Sequence, residues 1–396
     1  MSTRNRIRVD VAIVGGGIAG LWLLNLLRGR GYSTVLIERS AFGDGQTIRS
    51  QGMIHGGLKY ALGGMPTAAS EAIASMPLRW RNCLAGRGEI DLRGVRVLSD
   101  HYYLWSANDS ILGQLSGFLA SKVLRGRIRR LERDAFPTPF DDAQFRGAVY
   151  EIDDLVIDTP SLLAQLADAQ RNFTVCADVG PAQLIRSAEG SLETIRLQDC
   201  EIAAARYVLT AGAGNEALIE SLAARHIAPM QRRPLHQLIV HAPNLPPLYA
   251  HCIDQLSGTE PRLTVTSHRD ACAERVWYLG GQLAGEGALR SDTEQARHAR
   301  AELAACLPWI DLSNAQFESL RIDRAEPRRA GWRRPDDAFV AATANLLICW
   351  PTKLALAPDL GDKVLAALSI APAQASAATL APDTPRPGVA ASPWDR

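Results

Sequence analysis

Lysine is scarce in this chain of 396 residues. Lys59, Lys122, Lys353 and Lys363 are the only four, and arginine supplies the rest of the 43 basic side chains. Against 42 acidic groups this leaves a formal charge of +1, which argues against nucleic acid or an anionic membrane surface as the main partner. Paired cysteines are also lacking: the seven cysteines (Cys83, Cys176, Cys200, Cys252, Cys272, Cys306, Cys349) are scattered, with no Cys-x-x-Cys among them. Neither a disulfide framework nor a zinc site is indicated, and no metal is expected. Reduced thiols in a cytoplasmic protein are the expectation, with peripheral attachment at the inner membrane face left open. Nor does any uninterrupted apolar run reach the ~18 residues of a membrane helix. Arg4, Arg6 and Arg8 ahead of Val11 to Leu27 imitate a signal peptide, but three consecutive glycines break that run. What remains, 47% hydrophobic and 21% charged, is enough for two globular domains.

The broken run has its own logic. Val9 to Val14 is the β-branched kind of segment expected for a strand buried on both faces. Gly15-Gly16-Gly17-Ile18-Ala19-Gly20 follows as G-x-G-x-x-G, opening an apolar helix to about Arg30, and Thr34 to Ile37 reads as a second strand ending in Glu38 and Arg39. Gly15 permits the tight turn, Gly17 lets backbone approach a pyrophosphate, and Gly20 allows close packing of helix on strand. The helix start at Ile18 and Ala19 offers N–H groups to phosphate, and Glu38 can accept from ribose hydroxyls. An acid at position 38 favours FAD or NAD over NADP.

Next comes Gly45-Gln46-Thr47-Ile48-Arg49-Ser50-Gln51-Gly52-Met53-Ile54-His55-Gly56-Gly57-Leu58-Lys59-Tyr60. Thr47 and Ser50 can bond phosphate, while Gly52, Gly56 and Gly57 let backbone lie against a flat ring. His55 alone reads equally as a buried structural histidine.

This stretch resembles the FAD-dependent oxidoreductases of the D-amino-acid oxidase superfamily, and most of all the flavin-dependent glycerol-3-phosphate dehydrogenases. Three later stretches carry the same resemblance: Asp153 to Leu163, Arg206 to Asn215, and Asn345 to Pro358. The last contains Pro351-Thr352-Lys353-Leu354-Ala355, where the family loop is usually Gly-Gly-Lys-Leu-Thr. Both glycines are replaced, which puts the backbone contact at the flavin in question.

The resemblance implies an α/β fold, α+β overall: a Rossmann-like FAD-binding domain with parallel sheet and β-meander, plus an inserted substrate domain with an antiparallel sheet. The FAD domain is expected at 1–80, 146–227 and 331–370, and the substrate domain at 81–145 and 228–330. Helices are expected over 67–83 and 111–130. Ala371 to Arg396, rich in alanine and proline, is expected to be a disordered tail.

The resemblance also implies a cofactor site that takes in Gly15, Gly17, Ile18, Ala19, Gly20, Glu38 and Arg39, then Thr47, Ser50, Gln51, Gly52, Met53 and Ile54. Val179 would sit by the adenine, Ala211 and Gly212 under the cofactor, and Thr352, Lys353 and Leu354 at the flavin. Lys353 suits stabilisation of the reduced ring's negative charge. Arg321, Arg324, Arg328 and Arg329 precede Gly331-Trp332-Arg333-Arg334-Pro335, similar to the superfamily's Gly-x-Arg-Pro stretch, with either Arg333 or Arg334 in the matching place; Arg333 is taken as the candidate anchor for an anion. His55 is the candidate proton acceptor.

The expected function is FAD-dependent oxidation of a C–H bond beside a hydroxyl or amine of a small anionic substrate, by hydride transfer to flavin N5. The substrate would be a hydroxy acid, a compound like glycerol 3-phosphate, or an amino acid. The electron acceptor, whether oxygen, quinone or protein, stays open. Alternatives are an NAD-dependent dehydrogenase and a non-catalytic flavin-binding or interaction subunit.

Overall fold

Asn5–Val14 does form the first strand, and Val11, Ala12 and Ile13 have no exposed surface, as a strand covered on both faces requires. The computed structural model describes residues 5–57, 72–106, 128–253, 260–328, 337–373 and 380–395. From the first strand the chain turns through Gly15, at φ +107°, into the helix Ile18–Gly29 and returns as Thr34–Glu38, parallel to the first. Glycine is obligatory at position 20: a Cβ there would lie 1.9 Å from the Gly15 carbonyl oxygen, so any side chain would push the helix off its strand.

The strand order of the resulting sheet is Thr174–Cys176, Thr34–Glu38, Asn5–Val14, Cys200–Leu209, all parallel. Cys200–Leu209 then has two successors. Its first half pairs antiparallel with Leu192–Arg196, which continues the meander to Leu184–Arg186. Its second half pairs parallel with Leu346–Trp350, beside which lies Phe339–Thr343. Ile18–Gly29, Thr159–Ala169 and Ala357–Leu368 pack together on one face. Asp158 caps the second of these helices by accepting from the Ser161 N–H at 3.0 Å, with Pro160 in its first turn.

A second sheet of eight strands runs in the order Gln316–Pro327, Met230–His241, Arg275–Gly280, Leu263–Arg269, Ala250–Cys252, Tyr102–Ser106, Ala148–Ile152, Ile128–Arg130. It is antiparallel except between Ala250–Cys252 and Tyr102–Ser106. The capping box Ser291/Glu294 opens the helix Asp292–Cys306, whose Ala299 and Leu303 fill the back of this sheet together with Leu238, Val240 and Leu279. A three-stranded ribbon of Met53–Ile54, Leu155–Ile157 and Val97–Ser99 lies apart from both large sheets. Among the described residues no helix is long and apolar enough to cross a membrane.

Several expectations need correction. Ala148–Ile152 belongs to the second sheet, so the first inserted segment runs past residue 145. Conversely Cys83, Ile90, Leu92 and Val95 pack with Trp80 into the core beneath the glycine helix rather than into the substrate domain. Of the helix expected over 67–83, Met76–Leu84 is present, and 67–71 lie outside the described residues. Residues 111–127 lie outside them too, but Ile128–Arg130 is a strand, not a helix end; edge pairing to Tyr150 and Ile152 overrides the helix preference of its arginines.

The expected disordered tail is ordered over 380–395. Leu380 is 4% exposed, Trp394 3%, and Gly388–Val389 pairs with Ala41–Phe42. Its anchors are solitary side chains and backbone hydrogen bonds, which leave no periodic pattern in the sequence.

Candidate cofactor and substrate site

A cavity of about 700 Å³ is lined from the glycine turn at one extreme to Leu235, Gln237 and Arg324 of the second sheet at the other, a size suited to an enclosed organic ligand. Gly15, Gly17, Ile18 and Ala19 form its first wall. Gly15 is closed in behind, where an added Cβ would come within 2.5 Å of Ala211 Cα. Gly17 is different: an added Cβ would meet only Thr47 Oγ1, at 3.2 Å, so here backbone can be approached closely by a ligand. Gly17 gives the helix no side-chain cap, and its first turn has no acid. The Ile18 N–H instead donates to Thr47 Oγ1 at 3.1 Å, which leaves the threonine O–H to donate onward. Together these features make an anion-receiving helix start.

Glu38, at the end of its strand, accepts from the Gly16 N–H at 2.6 Å and the Ser40 N–H at 3.0 Å and lines the cavity beside Arg39. Val179 and Ala211–Gly212 also line the cavity. The residues present therefore fit a dinucleotide: an acid for a ribose, a glycine turn and helix start for phosphates, and a long remaining cavity for a ring.

Loop 45–57 crosses to the second sheet. Gln46 Nε2 reaches the Ala325 carbonyl at 3.5 Å, and Gln51 Nε2 donates to the Tyr278 carbonyl at 3.0 Å. Thr47, Ser50, Gln51, Gly52, Met53 and His55 all line the cavity. The Asp154 carboxylate accepts from the Gly56 N–H at 2.8 Å, and His55 Nδ1 accepts from the Gly57 N–H at 3.3 Å. The second bond assigns the neutral imidazole proton to Nε2.

Thr352, Lys353 and Leu354 close the far end. Thr352 takes φ +63°, a left-handed conformation that a β-branched residue rarely adopts. The chain thus keeps a glycine-like backbone where glycine has been replaced. The conformation is held from both sides: Thr352 Oγ1 donates to the Asp337 carbonyl at 3.0 Å, and Arg324 donates to the Thr352 carbonyl at 2.6 Å. Cys349 also lines the cavity, but burial pushes its thiol well above the ordinary range, so it stays protonated.

Two predicted site residues lie behind the cavity rather than on it. Gly20 serves the helix–strand contact, and Ile54 is fully buried in the core. Arg333 lies outside the described residues. Sequence reasoning missed Leu235 and Gln237, and passed over Arg324 in favour of Arg333. The available signal was alternation along Leu235–Gln237–Ile239, which sets an amide between two apolar side chains on one face. Arg324 is near Glu326, which is 2% exposed. Burial pushes that carboxyl up, but Arg233, Gln231 and Arg324 together bring it below its ordinary value.

The family model for FAD dependent oxidoreductases, DAO, matches residues 10–356. The chain belongs to the DAO family of FAD-dependent oxidoreductases. It is similar throughout to the probable FAD-dependent oxidoreductase PA4991 of Pseudomonas aeruginosa, 47% identical over 391 residues and 98% of each chain. The crystal structure of that protein superposes with a TM-score of 0.85, 43% identity and 99% of both chains. An FAD-bound L-alpha-glycerophosphate oxidase from Mycoplasma pneumoniae shares the fold, with a TM-score of 0.65 at 15% identity over 95% of this chain and 97% of that one. Likeness to the mitochondrial glycerol-3-phosphate dehydrogenase of Rattus norvegicus is local: 37% identity over 60 residues, 15% of this chain and 8% of that one. This DAO-family chain is an enzyme, and its cofactor is FAD, which removes the NAD-dependent and non-catalytic alternatives.

Proposed function

We propose that this DAO-family enzyme oxidises the C–H bond beside an amine or hydroxyl on a small anionic substrate. The observation that carries the reading is Arg324, a guanidinium on the second sheet at the cavity wall, bonded to the loop that bears Lys353. Bound FAD supplies the acceptor, taking a hydride at its N5. The glycine turn, Thr47 and Glu38 hold the nucleotide, and Lys353 at the far end offers positive charge to the ring system. Arg324 and Gln237 present donors to a carboxylate or phosphate. The apolar face around Leu235 and Ile322 keeps water from the reacting carbon.

The role of His55 depends on the substrate. With Nδ1 occupied by the Gly57 N–H, His55 offers a donor at Nε2 and must give up that bond to take a proton. A hydroxyl substrate needs such a base; an amine with a free lone pair does not. The test is anaerobic bleaching of the flavin by a panel of hydroxy acids, amino acids and glycerol 3-phosphate, with neutral amines and alcohols as controls. Bleaching by neutral compounds alone overturns the reading. Replacement of Arg324 by Met should raise KM for the active anion about 10- to 100-fold, the loss of one charge-assisted pair. Replacement of His55 by Ala should slow flavin reduction by a hydroxy substrate about 10²-fold or more and leave an amine substrate within a few-fold.

A further inference from the structure

Residues 380–395 cross from one sheet to the other. Leu380 is buried in the same apolar cluster as Val35 and Val175. The Pro385 carbonyl accepts from the Cys176 N–H at 2.8 Å, and the Arg386 guanidinium donates to the Thr174 carbonyl, so this stretch covers the edge strand of the parallel sheet. Gly388–Val389 then pairs with Ala41–Phe42, and the Ala390 N–H donates to the Phe42 carbonyl at 3.1 Å. Trp394 ends the run against the second sheet. Its ring stacks on His268 at 4.1 Å and 23° and meets Tyr278 edge-on at 5.9 Å, within a cluster that includes Ile322 from the cavity wall.

From the indole a chain of polar contacts leads back to the cavity. His268 Nε2 lies 3.0 Å from Thr266 Oγ1, and Gln51 Nε2 donates to that oxygen at 3.4 Å. The Tyr278 hydroxyl lies 2.8 Å from both the Arg49 carbonyl and Gln237 Oε1. It has one proton, which serves one of these two acceptors at a time and keeps the Gln237 amide N–H groups turned away from Tyr278. Among the described residues, buried His268 has no hydrogen-bond partner at Nδ1. One polar contact, the stacked indole and the edge of the Tyr278 ring orient it.

We propose that Trp394 is a positioning residue for the cavity: stacked on His268, it holds the His268–Thr266–Gln51 chain and so fixes loop 45–53 against the second sheet. The C-terminal run is the strap that delivers it there. This does not rest on the anionic-substrate reading, and either can fail alone.

The test uses the holoenzyme and its Trp394→Ala and Trp394→Phe variants, followed by amide hydrogen exchange and the visible spectrum of the bound flavin. Alanine should speed exchange across peptide 45–57 about tenfold and shift the flavin band, and phenylalanine should restore both. Faster exchange confined to 263–280 and to the strap itself, or phenylalanine behaving like alanine, overturns the proposal. If Trp394→Ala fails to fold, Thr266→Val carries the test, since it cuts the chain and leaves the indole in place. Loop 45–57 should again exchange faster while 388–395 keeps its protection; an unchanged loop overturns the proposal.

Discussion

Thr352 gives a direct measure of what the altered loop costs. A non-glycine residue at φ +63° carries about 1–2 kcal/mol of strain, and its hydroxyl bond to the Asp337 carbonyl returns about 1 kcal/mol. Alanine at 352 keeps the strain and loses the bond, so Thr352→Ala should be less stable by about 1 kcal/mol. Glycine loses the same bond, sheds the strain, and gives back roughly 0.5–1 kcal/mol in chain entropy, so Thr352→Gly should match the parent within about 0.5 kcal/mol. The comparison that matters is glycine against alanine, since neither has the hydroxyl. Glycine should lead by about 1 kcal/mol, or about 1 °C in Tm for a chain of this length. Thermal unfolding of the apoprotein by intrinsic fluorescence, repeated with urea, measures this. Alanine equal to or above glycine in both would show that the left-handed backbone carries no strain at this position.

Other consequences follow from named contacts. Gly20→Ala drives a Cβ to within 1.9 Å of the Gly15 carbonyl, so the protein should purify colourless, with FAD affinity down more than about tenfold by fluorescence titration. Glu38→Ala strands the Gly16 and Ser40 N–H groups and removes the acid from the cavity; FAD should bind about 10- to 100-fold more weakly, measured in the same way. Burial lowers the His268 pKa to about 4, against about 6.5 unfolded, with the charge of Asp158 opposing the shift. The unfolded chain therefore binds a proton that the folded one refuses, and stability falls as pH drops from about 6.5 towards 4, by up to about 1.4 kcal/mol per unit from this group. Urea midpoints between pH 7 and 5 should fall with pH, buried His251 and His236 adding to the slope, and His268→Asn should remove only its own share; an equal slope in the variant would rule His268 out as a source.

The cofactor end was legible in the sequence because its chemistry is local. A turn, a helix start and a strand-terminal acid fall within 38 residues, and each constrains residue type by itself. Helix caps at Asp158 and Ser291 were equally legible, since a cap is a contact across three residues. The proposed substrate wall was not. Gln237 and Arg324 acquire meaning only when Met230–His241 and Gln316–Pro327 pair and turn those two side chains inward, a long-range event with no local trace. The ordered tail was misread for a related reason: its composition is that of a linker, while its attachments are edge pairing and one indole.

The strand Cys200–Leu209, paired on one side with Asn5–Val14 and on the other with the meander along its first half and Leu346–Trp350 along its second, bears on how the protein is made. During synthesis the second half of that edge stays open until the whole of the antiparallel sheet has left the ribosome, because Leu346–Trp350 comes after it. The cavity wall from Cys349 to Leu354 arrives with that strand. Unpaired strand edges expose a nascent chain to misassembly, so the long interval before Leu346 is the hazardous stage of its birth. Flavin capture thus comes late, once the chain has been made past Leu354, and colour acquired during translation would report completion of the sheet.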